Sequence, residues 1–204
     1  MAGALFKKDL EQQTGRTWEA WVKLLEEQGG RDCTYDQLAR FLSEDAELDE
    51  SWIPIVIGMY EQLLGRKPIG LTADAGYQIG VRRTVRASKE TIWRYLTSGE
   101  GLKLWLGTIA PFPIAVGSAF VSEEGVSGKF GVVKSPEKLR MKWQRKDWEN
   151  ASTLQIYLLS SGAGKTTVAF HQEKLDDLYM REIMKRHWEL AAETLLRELT
   201  AQEA

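Results

Sequence analysis

The chain has 204 residues, 43% hydrophobic and 27% charged, with a formal net charge of −2, enough to bury one sizeable core or a moderate core plus a small second domain. Cys33 is the single cysteine and His171 and His187 are the only histidines, which excludes an internal disulfide and any thiolate or imidazole zinc cluster. Residues 1–70 carry 8 Lys/Arg against 13 Asp/Glu and the remainder 19 against 16; neither part has the basic excess that nucleic-acid binding through phosphate neutralisation requires.

The opening residues, MAGALFKKDLEQQ, contain no continuous apolar stretch of signal-peptide length, and the uncharged run around 51–60 is far too short to span a bilayer. The chain therefore reads as cytoplasmic. Its first region reads as three short helices. Thr17 can cap a helix bearing Trp18, Trp21, Leu24 and Leu25 at helical spacing, ended by Gly29-Gly30. Thr34 and Gln37 form a capping box before Leu38, Phe41 and Leu42. Ser51 is placed to cap the third, with Pro54 in its first turn and Gly65 stopping it before Pro68. The acidic run EDAELDE at 44–50 reads as a solvated loop between helices. A unit this small barely closes a core, so it is expected to pack on the C-terminal region of the chain. Pro and Gly in RKPIGLTADAG, 66–76, break the helical period and divide the chain into a helical domain at 1–72 and a second domain at 73–204.

The period then changes. In Tyr77 to Arg86 the odd positions are mostly apolar, as in a strand with one buried face. Ser88 caps a helix carrying Ile92, Trp93, Tyr95 and Leu96, and a loop with Trp105-Leu106 and the Pro111/Pro113 pair leads to strands near 118–122, 126–134, 138–144, 152–159 and 166–174. A final helix from about Asp176 to Leu199 places Met180, Met184, Trp188, Ala191 and Leu195 on one stripe. An alternating sheet has one face to cover, and this helix is long enough to cover it.

One stretch, SGAGKTT at 161–167, ends like the phosphate loop of a nucleotide hydrolase. That loop needs its first Gly at 159, where Leu159 stands, and a helix after it; Thr166 to Phe170 is β-branched and alternating instead. The segment reads as a hairpin tip, with Gly162 and Gly164 in positive-φ positions.

Arg86-Ala87-Ser88-Lys89-Glu90-Thr91-Ile92-Trp93 opening the first helix of the second region, Gly128-Lys129-Phe130-Gly131-Val132-Val133 in the meander, and Gly164-Lys165-Thr166-Thr167-Val168 before Trp188 and Leu195 resemble the START-like (SRPBCC) superfamily, in its AHSA-like branch. The resemblance spans about residues 75–200. The segment TGRTWEAW at 14–21, with Tyr60-Glu61-Gln62 and Gly65-Arg66, resembles a small helical domain of unknown function found fused to such modules. The implied fold is α+β: a helix grip, in which a curved antiparallel sheet wraps a long C-terminal helix, preceded by a small three-helix domain. The resemblance also implies a cavity between sheet and helix that encloses an apolar or amphipathic ligand in many members, while others cyclise polyketides or serve as chaperone partners.

By strand parity, that gap is expected to be lined by Phe120, Phe130, Met141, Trp143, Ile156 and Phe170, facing Met180, Met184 and Trp188, with Trp105 near the mouth. A filled core is the competing reading of the same residues. Arg83 shares the parity of Ile79, Val81 and Val85, so its guanidinium needs an anion: a ligand's carboxylate or phosphate, or an internal acid. His187 borders the same region as a cavity residue or a solvated helix-edge histidine. No Ser, Cys or carboxylate can be paired with it by spacing, so no catalytic set, metal site or cofactor is assigned. Three functions are compatible with these residues: a binding module for a small hydrophobic or amphipathic molecule, a partner that modulates a chaperone or other ATPase, and, last, a cyclase or hydrolase.

Overall fold

The computed structural model describes residues 3–66, 70–72 and 76–201. Four helices open the chain: α1 (Ala4–Thr14), α2 (Trp18–Glu27), α3 (Tyr35–Glu44) and α4 (Ile53–Leu63), with a 3-10 turn at Gly30–Asp32. The N-terminal unit thus has one helix more than periodicity predicts. α1 escapes the pattern because Phe6 and Leu10, one turn apart, are its only buried residues; tertiary packing holds it more than an amphipathic stripe of its own.

The first two predicted caps form. Thr17 accepts from the Ala20 amide at 3.2 Å, and Thr34 and Gln37 satisfy each other's amides at 3.3 and 2.8 Å. Ser51, expected to cap α4, does not. Its amide donates to Asp49 Oδ1 at 2.8 Å in the preceding turn, and α4 begins after Trp52 with Pro54 in its first turn. Gly65 takes a left-handed φ of 78° just past the helix. Pro68 and most of the predicted linker, 67–69 and 73–75, lie outside the described residues.

The second region is one antiparallel sheet of β1 (Leu71–Thr72), β2 (Gly76–Val85), β3 (Ala119–Val121), β4 (Ser127–Lys134), β5 (Lys138–Gln144), β6 (Ser152–Ser160) and β7 (Thr166–Leu175), ordered β1-β2-β7-β6-β5-β4-β3. Helices α5 (Lys89–Leu96) and α6 (Gly99–Lys103) lie between β2 and β3, and α7 (Leu178–Ala201) ends the chain. α6, in a stretch read as loop, is capped by Ser98, whose hydroxyl accepts from the Gly101 amide at 3.2 Å. The SGAGKTT stretch is the β6–β7 hairpin tip: the Ser161 amide donates to the Lys165 carbonyl at 3.0 Å, and Gly162 and Gly164 hold φ of 108° and 66°.

Burial follows the predicted parity. Tyr77, Ile79, Val81 and Val85 of β2 are buried, as are Met180, Met184, Trp188, Ala191 and Leu195 of α7. The result is an α+β helix grip. The N-terminal helices dock on the start of its long helix, where Tyr179 stacks on Trp52 at 5.6 Å, meets Phe6 at the same distance and donates to Asp9 Oδ2 at 2.7 Å. Burial, together with that bond to a carboxylate, holds the Tyr179 pKa well above the usual phenol. Buried side chains from Phe6 to Leu199 form one continuous cluster. Among the described residues no helix is long and apolar enough to cross a membrane.

Candidate functional site

The inward sheet face carries a column of large rings because aromatic residues occupy the inward parity of β4, β5 and β7 and meet the apolar stripe of α7. Trp188 lies flat on Phe170, centroids 5.1 Å apart and planes 7° from parallel, and meets Trp143 edge-on at 5.8 Å. Further along, Phe130 contacts Trp105 at 6.2 Å and Phe120 at 5.5 Å, with Phe112 over both phenyl rings. Met141 and Ile156 fill the sheet floor between these rings, and Met180 is buried where α7 begins. The gap expected between sheet and helix is therefore packed where Trp188 meets Phe170.

Under these rings runs a chain of buried hydrogen bonds. Trp188 Nε1 donates to Gln172 Oε1 at 2.7 Å, Gln172 Nε2 to Ser152 Oγ at 2.8 Å, and Ser152 Oγ to the Trp143 carbonyl at 2.7 Å. Trp143 Nε1 donates to the Trp105 carbonyl at 2.8 Å, and Trp105 Nε1 to that of Leu96 at 3.0 Å. These polar groups are thus bonded in a dry setting, where leaving one unpaired is costly. The chain ties α7, β7, β6, β5 and the end of α5 into one frame.

Beside Trp143, midway along this chain, the frame opens into a cleft of about 190 Å³ lined by Val126, Trp143, Met184 and His187, with Glu124, Arg145, Lys146 and Asp147 around it. His187 keeps an exposed edge, yet its ring is crowded by Trp188 at 4.5 Å and Trp143 at 6.3 Å. That desolvation, with the Arg145 guanidinium, lowers its pKa to about 4, so the ring is neutral at pH 7. Glu124 accepts from the amide and hydroxyl of Thr108 at 2.8 Å, bonds that hold its pKa down at about 2. Arg145 is forked onto Asp147 at 3.1 and 3.0 Å, which leaves Lys146 as the cleft cation with no ion-pair partner among the described residues. The cleft thus has an apolar floor, a neutral imidazole and a rim of mixed charge, where Arg145 and Lys146 stand beside the carboxylates of Glu124 and Asp147.

Of the residues singled out by sequence, Trp143, Met184 and His187 line this cleft. Trp105, Phe120, Phe130, Met141, Ile156, Phe170, Met180 and Trp188 are all buried in the core beside it. Arg83 is not among the cleft residues. Its guanidinium, half-exposed, donates to Glu193 Oε1 of α7 at 3.4 Å and to the Arg82 carbonyl at 2.9 Å, so an internal acid supplies the anion it needs. Sequence reasoning missed Gln172 and Ser152, although both share the inward parity of Phe170 and Leu154. It also missed Trp148, which lies between the strands predicted at 138–144 and 152–159 yet is buried edge-on against Trp143 at 5.3 Å. Among the described residues, no cluster of His, Cys, Asp or Glu is placed to hold a metal ion.

A family model described as activator of Hsp90 ATPase homolog 1-like protein matches residues 86–200. No curated protein matches the chain. Among solved structures, protein MLL2253 from Mesorhizobium loti is 22% identical with a TM-score of 0.52, the match covering 61% of this chain and 97% of that one. CalU16 from Micromonospora echinospora is 21% identical with a TM-score of 0.51, covering 61% and 78%. DynU16, from the dynemicin biosynthetic locus, is 18% identical with a TM-score of 0.54, covering 60% and 47%. At such identities the likeness shows a shared fold.

Proposed function

We propose, starting from the fact that this chain belongs to the activator of Hsp90 ATPase homolog 1-like family, that it is a helix-grip binding module for a small hydrophobic or amphipathic molecule. The observation that carries this reading is the cleft between Trp143, Met184 and His187, an apolar floor rimmed by Lys146, the Arg145–Asp147 pair and Glu124. At about 190 Å³ it is smaller than the several hundred Å³ of a typical drug-sized pocket. It takes a ring or chain end, with the rest of the molecule outside. A negative group on that molecule would meet Lys146. The proposal carries a cytoplasmic setting, which the lone free Cys33 suits.

The test uses an amphipathic aromatic sulfonate, anilinonaphthalene sulfonate, followed by its fluorescence, together with native mass spectrometry of gently purified protein. Saturable binding that weakens in Lys146→Glu supports the cleft. No co-purified molecule, no probe binding and no member of a fatty-acid and aromatic-acid set raising the melting temperature would overturn it.

A second reading, a protein that modulates a chaperone ATPase, is favoured by the description of the matched family and by the packing of Trp188 on Phe170, which shifts weight from interior to surface. An Hsp90 ATPase rate unchanged by added protein would remove it.

A further inference from the structure

The face of the sheet turned away from α7 concentrates positive charge. On β5, Lys138, Arg140 and Lys142 occur at every second residue and so project to one face, roughly 6.6 Å apart along the strand. The neighbouring strand places Lys129 directly opposite Lys142, a like-charge cross-strand pair that costs stability. Lys129, Arg140, Lys142 and Lys174 are exposed and, with Phe130, Gly131, Met141 and Thr153, line a shallow groove of about 330 Å³. The Arg140 guanidinium lies 3.9 Å from Glu173, whose carboxylate is also shared with His171 at 3.6 Å. Among the described residues Lys129, Lys142 and Lys174 have no ion-pair partner. In a chain whose net charge is −2, this face is a segregated basic surface held together against its own repulsion.

We infer that this outer face is a docking surface for an acidic, extended polypeptide segment of a partner protein, a surface separate from the cleft by α7. An extended chain presents same-side carboxylates at the two-residue repeat at which β5 presents its cations. The groove, about 330 Å³, has room between its cations for the side chains of such a segment. Nucleic acid fits less well: Tyr157, the aromatic residue beside the patch, already has Lys138 over its ring, Nζ 4.6 Å from the centre, and the groove itself presents no exposed ring on which a base would stack. A bilayer fits less well too, since the groove-lining residues supply cations without large exposed apolar anchors.

Fluorescence anisotropy with a labelled deca-glutamate peptide tests this, beside a labelled oligothymidylate of equal charge and vesicles of phosphatidylcholine and phosphatidylserine. The expected result is saturable peptide binding that weakens with salt and falls on the order of tenfold in Lys129→Gln/Lys142→Gln. That variant should melt no lower than the unmodified protein, because it removes a repulsive pair, so lost binding with an undiminished melting temperature separates docking from misfolding. Absence of peptide binding, unchanged affinity in the double variant, or tighter binding of the oligonucleotide or the vesicles overturns the inference.

Discussion

Trp188 on the long helix donates its indole N–H to the side-chain oxygen of Gln172 on β7 across 2.7 Å, with neither residue exposed. The bond joins helix to sheet at the point where the rings are also stacked. Trp188→Phe keeps much of the stacking but strands a buried acceptor, and should cost about 1–3 kcal/mol, read as a lower denaturation midpoint. Combining it with Gln172→Leu should cost less than the sum of the two single changes, since the Trp188–Gln172 bond is lost only once, while the bond from Gln172 to Ser152 is lost in both variants that carry the Leu. Strictly additive losses would show that the bond contributes nothing of its own.

His187 gives the protein a pH dependence on the acid side. Its folded pKa, about 4, lies below the ordinary value of 6.5, so between the two the unfolded chain binds the extra proton. Stability is then fully present above 6.5, falls as pH drops through that window and levels off below 4. Melting temperatures between pH 7 and 4.5 should fall less steeply in His187→Gln than in the unmodified protein. Parallel slopes would mean that the ring titrates normally.

Gly128 lies in β4 beneath Phe120. A Cβ there would meet the Lys142 carbonyl oxygen at 2.0 Å and the Phe120 ring at 2.6 Å, and the carbonyl belongs to the ladder and cannot swing aside. Gly128→Ala should destabilise by about 1–3 kcal/mol, measured by urea unfolding. A midpoint within error of the parent would show that β4 shifts freely.

Tyr179 joins the N-terminal helices to the grip through Trp52, Phe6 and Asp9. The two regions should therefore unfold in one transition, and Trp52→Ala should lower the stability seen by every probe by about 1–3 kcal/mol, less than for a fully buried tryptophan because Trp52 is only partly buried. A fragment beginning at residue 70, which keeps β1, should melt lower than the full chain, because Leu178 and Tyr179 lose their cover. If the fragment melts at the parent temperature, the two domains are energetically independent.

Much of this architecture was legible in local patterns. The alternation in β2, the five-residue stripe on α7, the capping box at Thr34 and the glycines of the 161–167 hairpin are consequences of backbone geometry within a few residues. The same parity placed Phe170, Trp143 and Trp188 on facing surfaces. α1 was not legible, because Phe6 and Leu10 are too few to make a stripe and find their partners on α2 and α7. Gln172 and Ser152 were visible as polar residues at inward positions, but their meaning depends on each other and on Trp188.

By itself, then, the sequence determined which residues face inward and that one long helix must cover one sheet, since hydrophobic period and turn chemistry act locally. Only the tertiary structure decided that Trp188 and Phe170 close the grip at their contact, that Arg83 is answered by Glu193, and that an opening remains by Trp143 and His187. Those outcomes depend on how side-chain volumes and charges distant in the chain meet, which no local period encodes.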